Sequence, residues 1–456
     1  MKQLNVWTLA IFIAASGITP LKAQSDASGG LTLAGAVEMA LKRHPAIEAA
    51  DAYSEAVKDG IAAAQAGRYP RVDFVESATR GNNPVYVFGS LLTQGQFAAP
   101  NFALSSLNYP PALDNFRTQF TAAMPVWDAG QTSRRVQDAR LEARGAVKGG
   151  ERTRQEIIFS VIQAYLNGLM ARESVRVAEA SVEAAAADLT RAQARSEQGL
   201  AVPSDLLSAQ VQLAQAREDL LREKNALALA DAALNVAMGV ADNSPVALGS
   251  QLQEATFEAG TLEERQQRAL VARPDYHQAQ AGEERAANER RRARSEFLPT
   301  FNIFGTWEQN NQTFLTRGND NWIAGASLNF NLFDGGARRA RLKASEARQR
   351  QAEAMRNQLA LSIRLQVRRA YLNLTTARDR VDVSRGAAGQ AGESLRITQN
   401  RYEAGLATIT DLLRAETQHT AAQRNFLNAF FDYRLSFAAL ELATGELAAD
   451  SAAVRQ

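Results

Sequence analysis

The strongest constraint in this sequence is that its second half repeats the pattern of its first. Pro45 and Pro274 lie 229 residues apart, and a second pair of prolines keeps the same separation. Further along, Trp127-Asp128-Ala129-Gly130 matches Phe333-Asp334-Gly335-Gly336 at a separation of 206 residues. Distinctive residue types that recur at fixed separations indicate an internal repeat. A chain of 456 residues, long enough for about three domains, therefore reads as one unit in two tandem copies.

The first copy is longer than the second. The separation falls from 229 to 206 between these landmarks, so the first copy holds 23 extra residues. They lie between about residues 80 and 113, in a stretch that contains several Asn, Gly and Pro. This composition predicts an exposed loop.

Two stretches of the chain predict very long helices. No proline interrupts residues 129–198 or 335–404, and each stretch would extend roughly 105 Å at 1.5 Å per residue. In the second, apolar and small residues recur in steps of three and four, which predicts a closely packed coiled-coil seam. The seam residues are Leu359, Ile363, Val367, Ala370, Leu374, Ala377 and Val381.

Shorter elements surround the long helices. Alternating apolar and polar residues predict strands with one apolar face, which carries Phe120, Met124 and Val126 in the first copy. Pairs of shorter helices predict a broken rod beside each continuous one, with a kink at Pro45. The predicted bounds are, in the first copy (24–239), helix 32–69, strands 70–88 and 114–127, long helix 129–198 and helix 204–239; then a linker at 240–261; and in the second copy (262–445), helix 262–297, strands 299–309 and 321–333, long helix 335–404 and helix 410–445, with a C-terminal tail at 446–456.

The composition agrees with a fold that is mostly α with a β part. The chain is 46% hydrophobic, but Ala supplies much of that share, and only 12 residues are Pro. Such a chain forms helices with narrow apolar seams. Cysteine is absent, which excludes disulfides, thiolate metal sites, a Cys nucleophile and an acylated N-terminal Cys.

Residues 1–23 are typical of a secretory signal peptide. Lys2 precedes an apolar run at 6–15 that is too short to span a bilayer. The full chain has 51 basic and 49 acidic residues and a net charge of +2, and without Lys2 and Lys22 it is neutral. No later stretch is long and apolar enough for a transmembrane helix. We therefore expect a periplasmic, extracellular or outer-membrane protein.

The four predicted strands have edges that must be paired or covered. A small soluble sheet packed on the helices is one solution. However, Trp127, Trp307 and Trp322 lie in or beside strands, and Phe333 takes the place of Trp127 in the second copy; aromatic residues at strand ends are typical of a membrane interface. In lipid the strands would have to close with those of other chains, and two chains give eight strands while three give twelve.

No motif for catalysis, a cofactor or a metal is visible. His44, His277 and His419 are isolated and lack metal-ligand spacing. The basic run at 290–292 is surrounded by glutamates, which indicates a solvated helical face rather than a nucleic-acid contact. We expect neither enzyme activity nor a nucleic-acid partner.

The repeat, the strand pairs that end in the motifs at 127–130 and 333–336, and the turns at 197–201 and 403–407 resemble those of the TolC-like outer-membrane efflux and secretion channels. The resemblance covers nearly the whole mature chain. It implies a homotrimer in the outer membrane of a Gram-negative bacterium. A shared twelve-stranded transmembrane β-barrel would be anchored in outer-membrane lipid without a lipidated Cys, and the long coiled-coil-like helices would form an α-helical barrel across the periplasm.

The resemblance also implies partners. They are a periplasmic adaptor (membrane fusion) protein and an inner-membrane pump of RND or ABC type. The surplus segment of the first copy would lie on the extracellular side. The turns at the opposite end would contact the adaptor through Gly199, Leu200, Ala201, Ser204, Gly405, Leu406, Ala407 and Thr410.

Local rules add detail to these turns. Gly199 and Gly405 would end the long helices with left-handed backbone. Ser204 and Thr410, with the Asp that follows each, would cap the next helices.

The periplasmic gate is expected at the same end. Copies of Asp411 and Asp205 would form an acidic ring that favours cations and responds to pH. Tyr402 matches a family position that helps to hold the closed state. Some relatives carry a second acid one turn past Asp411, where this chain has Arg414.

The sequence thus predicts a passive exit duct that depends on a pump for energy. Efflux of drugs, metals or other solutes and type I protein secretion are two options within this class. A periplasmic coiled-coil protein with a structural or adhesive role is the alternative from another class.

Overall fold

The computed structural model describes residues 30–199, 202–249, 257–314 and 316–455. The predicted signal peptide, 1–23, lies outside these ranges. The elements form two similar series. The first contains α1 (Leu33–Arg43), α2 (Pro45–Ala66), β1 (Arg71–Gly81), α3 (Pro84–Thr93), a 3-10 helix (Ala99–Phe102), α4 (Leu104–Asn108), β2 (Leu113–Trp127), α5 (Gln131–Glu197) and α6 (Pro203–Ala237). The second contains α7 (Leu262–Ala272), α8 (Pro274–Ser295), β3 (Thr300–Asn311), β4 (Asn319–Asn329), α9 (Ala337–Glu403), α10 (Ile409–Thr444) and α11 (Ala452–Arg455).

The long helices α5 and α9 each contain 67 residues, or roughly 100 Å. An aspartate starts each one. The Asp128 carboxylate accepts hydrogen bonds from the backbone N–H of Gly130 (3.0 Å) and of Thr132 (2.6 Å), and Asp334 accepts the corresponding two bonds at 3.1 and 2.9 Å. The motifs at 127–130 and 333–336 are therefore helix-start signals, and the helices begin two residues later than predicted because Gly130 and Gly336 form the caps.

The predicted seam of α9 is confirmed. Ile363 and Val367 are 0% exposed, Leu359 is partly buried, and the other predicted seam residues are also buried. They pack mainly against α10 and belong to one large core cluster that also includes α1 and α5. No helix among the described residues is both long and apolar enough to cross a bilayer.

The helix predicted at 32–69 is two helices, and so is the one predicted at 262–297. His44 and Arg273 separate the members of each pair, with extended backbone at ψ 123° and 124°. Each precedes a proline, which disfavours helical geometry in the preceding residue and cannot donate a hydrogen bond itself. The kink expected at Pro45 is therefore a complete break.

The start of α2 meets the end of α6, and the start of α8 meets the end of α10. A Cβ on Gly239, just beyond α6, would lie 2.7 Å from His44 Cα at the start of α2. A Cβ on Gly445, just beyond α10, would lie 2.9 Å from Arg273 Cα at the start of α8. Helices α6 and α2, and likewise α10 and α8, therefore abut end to end as predicted.

The helices form one layer along the long axis. Near the sheet its order is α2–α5–α8–α9, and at the other end it is α6–α5–α10–α9. Within the described ranges, α2 and α6 thus form one lateral edge of the layer and α9 forms the other. Around the helix breaks, Tyr165 donates to the Leu31 carbonyl at 2.8 Å and Tyr371 to the Gly260 carbonyl at 3.2 Å. The predicted tail also packs here, since Leu447 and Val454 are buried.

The four strands form one antiparallel sheet in the order β1-β2-β3-β4. The strand predicted at 70–88 is too long, because β1 ends at Gly81 and α3 begins at Pro84. The strand predicted at 321–333 begins and ends earlier, at 319 and 329.

The predicted loop of the first copy is folded and largely helical. The side chain of Asn83 accepts hydrogen bonds from Val85 N (3.0 Å) and Tyr86 N (3.2 Å). Pro84 occupies the first helical position, where its missing N–H costs nothing. Together they start α3 in a stretch whose Asn and Pro had indicated only a turn.

Substitution by alanine should have opposite effects on stability at two glycines, one at an abutting helix end and one inside a helix. Gly239→Ala places a Cβ at φ +73° and against the backbone of α2. We expect it to lower stability by about 2 kcal/mol or more. Gly282→Ala, in the interior of α8 with open space around the added methyl group, should raise it by about 1 kcal/mol. Thermal unfolding of the purified protein in detergent measures both changes. A Gly239→Ala variant as stable as the parent would contradict the abutment.

Candidate functional site

One face of the sheet is apolar and carries two rows of aromatic side chains. The first aromatic row crosses all four strands, because Phe74 pairs with Phe120, Phe120 with Trp307, and Trp307 with Trp322. Neighbouring ring centroids lie 5.1 Å apart for the first pair and 5.9 Å for the second. Trp322 is 78% exposed. The row is therefore a continuous aromatic stripe open to the surroundings.

The second aromatic row lies near the helical end of the sheet and contains Trp127 and Phe301, with Leu328 beside them. The prediction placed Val126 on this face. A bulge between Pro125 and Trp127 instead brings Trp127 opposite Phe301. Proline cannot donate to the ladder and is commonly found at such irregularities.

The two rows bound an apolar band. Phe301 and Trp307 are six residues apart on β3, which is roughly 20 Å along a strand. The positions between the rows are small or apolar: Val72, Ala122, Met124, Ile303, Gly305, Ala324 and Ala326. Beyond the first row the same face becomes polar. An apolar band between aromatic girdles is what a bilayer selects on the outside of a β-sheet. Three of the four predicted interface aromatics belong to these rows, whereas Phe333 lies past the end of β4, 86% exposed.

The opposite face is polar toward the β1–β2 connection. Asn115 donates to Asn310 at 2.9 Å, and Arg117 lies 4.0 Å from Glu308. Further polar residues of this region include Gln119, Asn319 and Asn321. We call this the polar face of the sheet. A sheet with these two faces can separate hydrocarbon from water.

The opposite end of the layer contains the two helical turns. Gly199 and Gly405 have φ values of +71° and +76°, as expected for residues that reverse the chain after a helix. Leu406 is 70% exposed. Leu200 and Ala201 lie outside the described residues.

The caps after these turns differ from the prediction. Thr408, not Thr410, caps α10, in a reciprocal capping box with Asp411. In the first copy Val202 stands at the cap without a side-chain hydrogen bond, and Pro203 begins α6. Ser204 is therefore inside the helix. The two turns have different local chemistry: one is fixed by a capping box, the other by proline.

Tyr402, which the sequence predicts at the gate, joins two helices at the second turn. Its side chain is buried with Ile409 and Leu412, and burial raises the pKa of its hydroxyl. The guanidinium of Arg195 on α5 lies 5.0 Å from its ring centroid and donates to its backbone carbonyl at 2.7 Å. This contact ties α5 to the α9–α10 turn.

At the predicted acidic gate, positive charge offsets the negative charge of Asp411 more than the sequence indicated. Asp411 is exposed, and hydrogen bonds from Thr408 lower its pKa, with Arg414 and Arg401 contributing further. These arginines and Asp411 line one hollow of about 320 Å³. Asp205, in the first turn of α6, lies close enough to Tyr402 to influence the pKa of the tyrosine.

A buried acid pair near this end was not predicted. Asp188 on α5 is 0% exposed and pairs with Arg191, which also lies 4.0 Å from Glu403 on α9. Glu416 on α10 faces Asp188, and burial together with that carboxylate raises its pKa to about 8.

One proton on Glu416 accounts for the hydrogen bonding of this pair. Without that proton, the second carboxylate oxygen of Asp188 has no hydrogen-bond donor among the groups around it. The sequence did contain a signal: Asp188 lies between the buried Ala185 and Ala192 in steps of three and four, which is a seam position.

Each histidine side chain makes a hydrogen bond to a residue close to it in sequence. His44 accepts from Ala46 N at 3.2 Å, His277 contacts the Val271 carbonyl at 2.7 Å, and His419 contacts Gln423 at 2.9 Å. Within the described part of the chain, no three His, Asp or Glu side chains are placed to hold a metal ion.

The acid pair predicts a defined pH dependence of stability. The pKa of Glu416 is raised from its ordinary value of 4.5 to about 8, so the folded protein keeps a proton that the unfolded chain loses. Stability contributed here should fall as pH rises from about 4.5 to about 8 and be constant outside that window. Glu416→Gln should remove this fall and raise the unfolding temperature at pH 8.5.

Thermal unfolding at pH 5 and pH 8.5 tests the pH dependence. Glu183→Gln, at an exposed position on α5, is the matched control and should behave like the parent. If Glu416→Gln shows the same difference between the two pH values as the parent, the shared proton is not the cause.

Comparison with known proteins agrees with this geometry. The sequence model of the outer membrane efflux protein family matches twice, at residues 36–240 and 266–446. Protein CyaE of Bordetella pertussis is 28% identical over 331 residues, covering 72% of this chain and 70% of CyaE. The alkaline protease secretion protein AprF of Pseudomonas aeruginosa is 23% identical over 457 residues, covering 98% and 89%.

Solved structures share the fold. The outer membrane protein VceC of Vibrio cholerae superposes with a TM-score of 0.76 at 21% identity, over 91% of this chain and 96% of VceC. The CmeC outer membrane channel of Campylobacter jejuni gives a TM-score of 0.78 at 16% identity, over 100% and 96%. Because the family's model covers most of both halves, the chain belongs to the outer membrane efflux protein family, whose members are channels rather than enzymes.

Proposed function

We propose that this protein is the outer-membrane exit duct of a tripartite export system, through which substrates pass passively from a periplasmic adaptor and an inner-membrane pump to the outside. The two aromatic rows that bound the apolar band of the sheet carry this proposal. They give the sheet the pattern of a bilayer-spanning wall. The helices of roughly 100 Å that extend from it are long enough to reach far into the periplasm.

Efflux and protein secretion are two versions of this function. AprF is named for the secretion of alkaline protease, and it aligns with 98% of this chain. This extent of alignment favours type I secretion as the second candidate. The duct itself does not distinguish the two, because a polar bore accepts many substrates.

The open edges of the chain support a ring of identical copies. In the described residues, β1, α2 and α6 form one unpaired edge, while β4 and α9 form the other. Open sheet edges are not tolerated in lipid, and joining one edge to the other edge of the next copy gives a closed ring. Both edges expose large apolar residues: Leu207, Val211, Leu221 and Leu229 on α6, and Leu361, Leu365, Leu372 and Val383 on α9. The family resemblance supports three copies, and so twelve strands.

The exposed apolar residues of α9 predict a substitution that disrupts the trimer. Leu365→Asp puts a charge among these residues, where burial against the next copy would leave it unpaired. We expect loss of the heat-sensitive trimer, seen as a change in gel mobility without boiling. Asn373→Asp adds the same charge to another exposed side of α9 and should leave the trimer intact. Trimers of normal stability in the Leu365→Asp variant would argue against this interface.

The second helical turn predicts a substitution that stops export by weakening the contact with the adaptor. Leu406 is exposed, so Leu406→Asp should abolish export by removing an apolar adaptor contact. Trimers should still be present in outer-membrane fractions. Leu406→Met, which keeps an apolar side chain, should export at nearly the parental rate. Normal export by the Leu406→Asp variant would exclude an adaptor contact at this residue.

A further inference from the structure

The segment between β1 and β2, residues 82–112, is called here the insert, and it lies across the polar face of the sheet. Its key contact is Gln94, directly after α3. This side chain is only 5% exposed and donates to the Asp114 carbonyl and to Asn115 Oδ1, both at 2.9 Å. The amide of Asn115 in turn donates to Asn310 on β3. The end of α3 is thus fixed to the two central strands, at the end of the sheet next to the β1–β2 connection.

The insert also reaches the far edge of the sheet. Asn319 and Asn321 on β4 both donate to the Thr93 carbonyl, at 3.0 Å each. Gly95 packs against the Asn319 side chain so closely that an added Cβ would lie 3.2 Å from it. The asparagines that make these contacts share a face with Arg117 and Glu308, which places the insert on the polar side and not on the side of the aromatic rows.

Three phenylalanine rings of the insert contact one another at its surface, where Phe88 and Phe102 are exposed. The rings of Phe88, Phe97 and Phe102 pack edge to face at centroid distances of 4.8 and 5.0 Å. Tyr86 donates to the Thr79 carbonyl at 2.7 Å, which ties α3 to the end of β1. The segment is therefore a folded cover and not a loop that extends into solvent. Only residues 312–318 connect the other two strands.

We infer that the insert is the size-selecting constriction at the outer mouth of the duct. The inference rests on the proposed function, because the polar face surrounds the bore only when the sheets close into a ring with their aromatic rows in lipid. Each copy then places its insert toward the axis, where the polar amides hold it over the opening. Small solutes pass between the inserts and bulky hydrophilic solutes are retarded.

The test uses a chain that contains no cysteine of its own. A Thr306→Cys reporter places one thiol on the polar face of β3, at a position paired with Thr121 and further from the outer mouth than Asn310. Intact cells are treated with a small membrane-impermeant maleimide or with a long polyethylene-glycol maleimide, and labelling rates are compared. The second chain replaces residues 82–112 with Asn-Gly. This two-residue turn suits the join because Gly81 and Leu113 are direct partners.

The expected result separates the two reagents. The small reagent should label the reporter in both chains, whereas the long reagent should label the shortened chain at least roughly tenfold faster than the full chain. Equal labelling by the long reagent in both would overturn the inference while leaving the duct intact. No labelling by either reagent in either chain would mean that the polar face is not open to the outside, and the proposed function itself would fail.

A second variant keeps the insert and removes its attachment. Asn319→Ala combined with Asn321→Ala deletes both bonds to Thr93, and should give a labelling rate between those of the full and shortened chains. Asn108→Ala, at an exposed position of the insert, is the matched control and should label like the full chain. If the double variant also labels like the full chain, these amides do not hold the constriction.

Discussion

The close contact of long helices along small-residue seams is the constraint on which the rest of the molecule depends. Ala185 and Ala192 on α5 and Ala370 and Ala377 on α9 are all buried, and side chains of this size let neighbouring helices approach closely. A single layer of helices can then stay closely packed over its whole length. The sheet and the turns are separated by this layer, so a change at one end reaches the other only through the helices. Each end can therefore have its own chemistry.

Much of this fold could be predicted from the sequence because the signals are local. The motifs at 127–130 and 333–336, the seam of α9 and the alternation in the strands each depend on neighbours within a few residues. Some local signals were readable but missed. Thr408 and Asp411 have the spacing of a capping box, and Asp188 occupies a seam position between two alanines. Each of these signals is visible only when a polar residue is read together with its partner, Thr408 with Asp411 and Asp188 with Glu416.

Other features could not be predicted because they depend on contacts between distant residues. The insert is placed by bonds from Asn319 and Asn321 to Thr93, more than two hundred residues earlier in the chain. Nothing in residues 82–112 alone shows which face of the sheet they cover. The bulge at Pro125 is a similar case. It decides whether Val126 or Trp127 faces Phe301, and that choice is set by pairing with β3 and not by the alternation within β2.

The buried acid pair shows how the two halves of the chain have diverged. At the separation of 206 residues, Asp188 corresponds to Ser394 and Glu416 to Gln210, neither of which is charged. The pair lies where α5 of the first half meets α10 of the second. In the proposed ring, the corresponding contact joins α6 of one copy to α9 of the next, between neutral residues. In the proposed ring, proton loss at Glu416 would therefore weaken a contact within each chain and not one between chains. In the proposed duct, an opening driven in this way would separate α5 from α10 within each copy while the ring of copies stays closed.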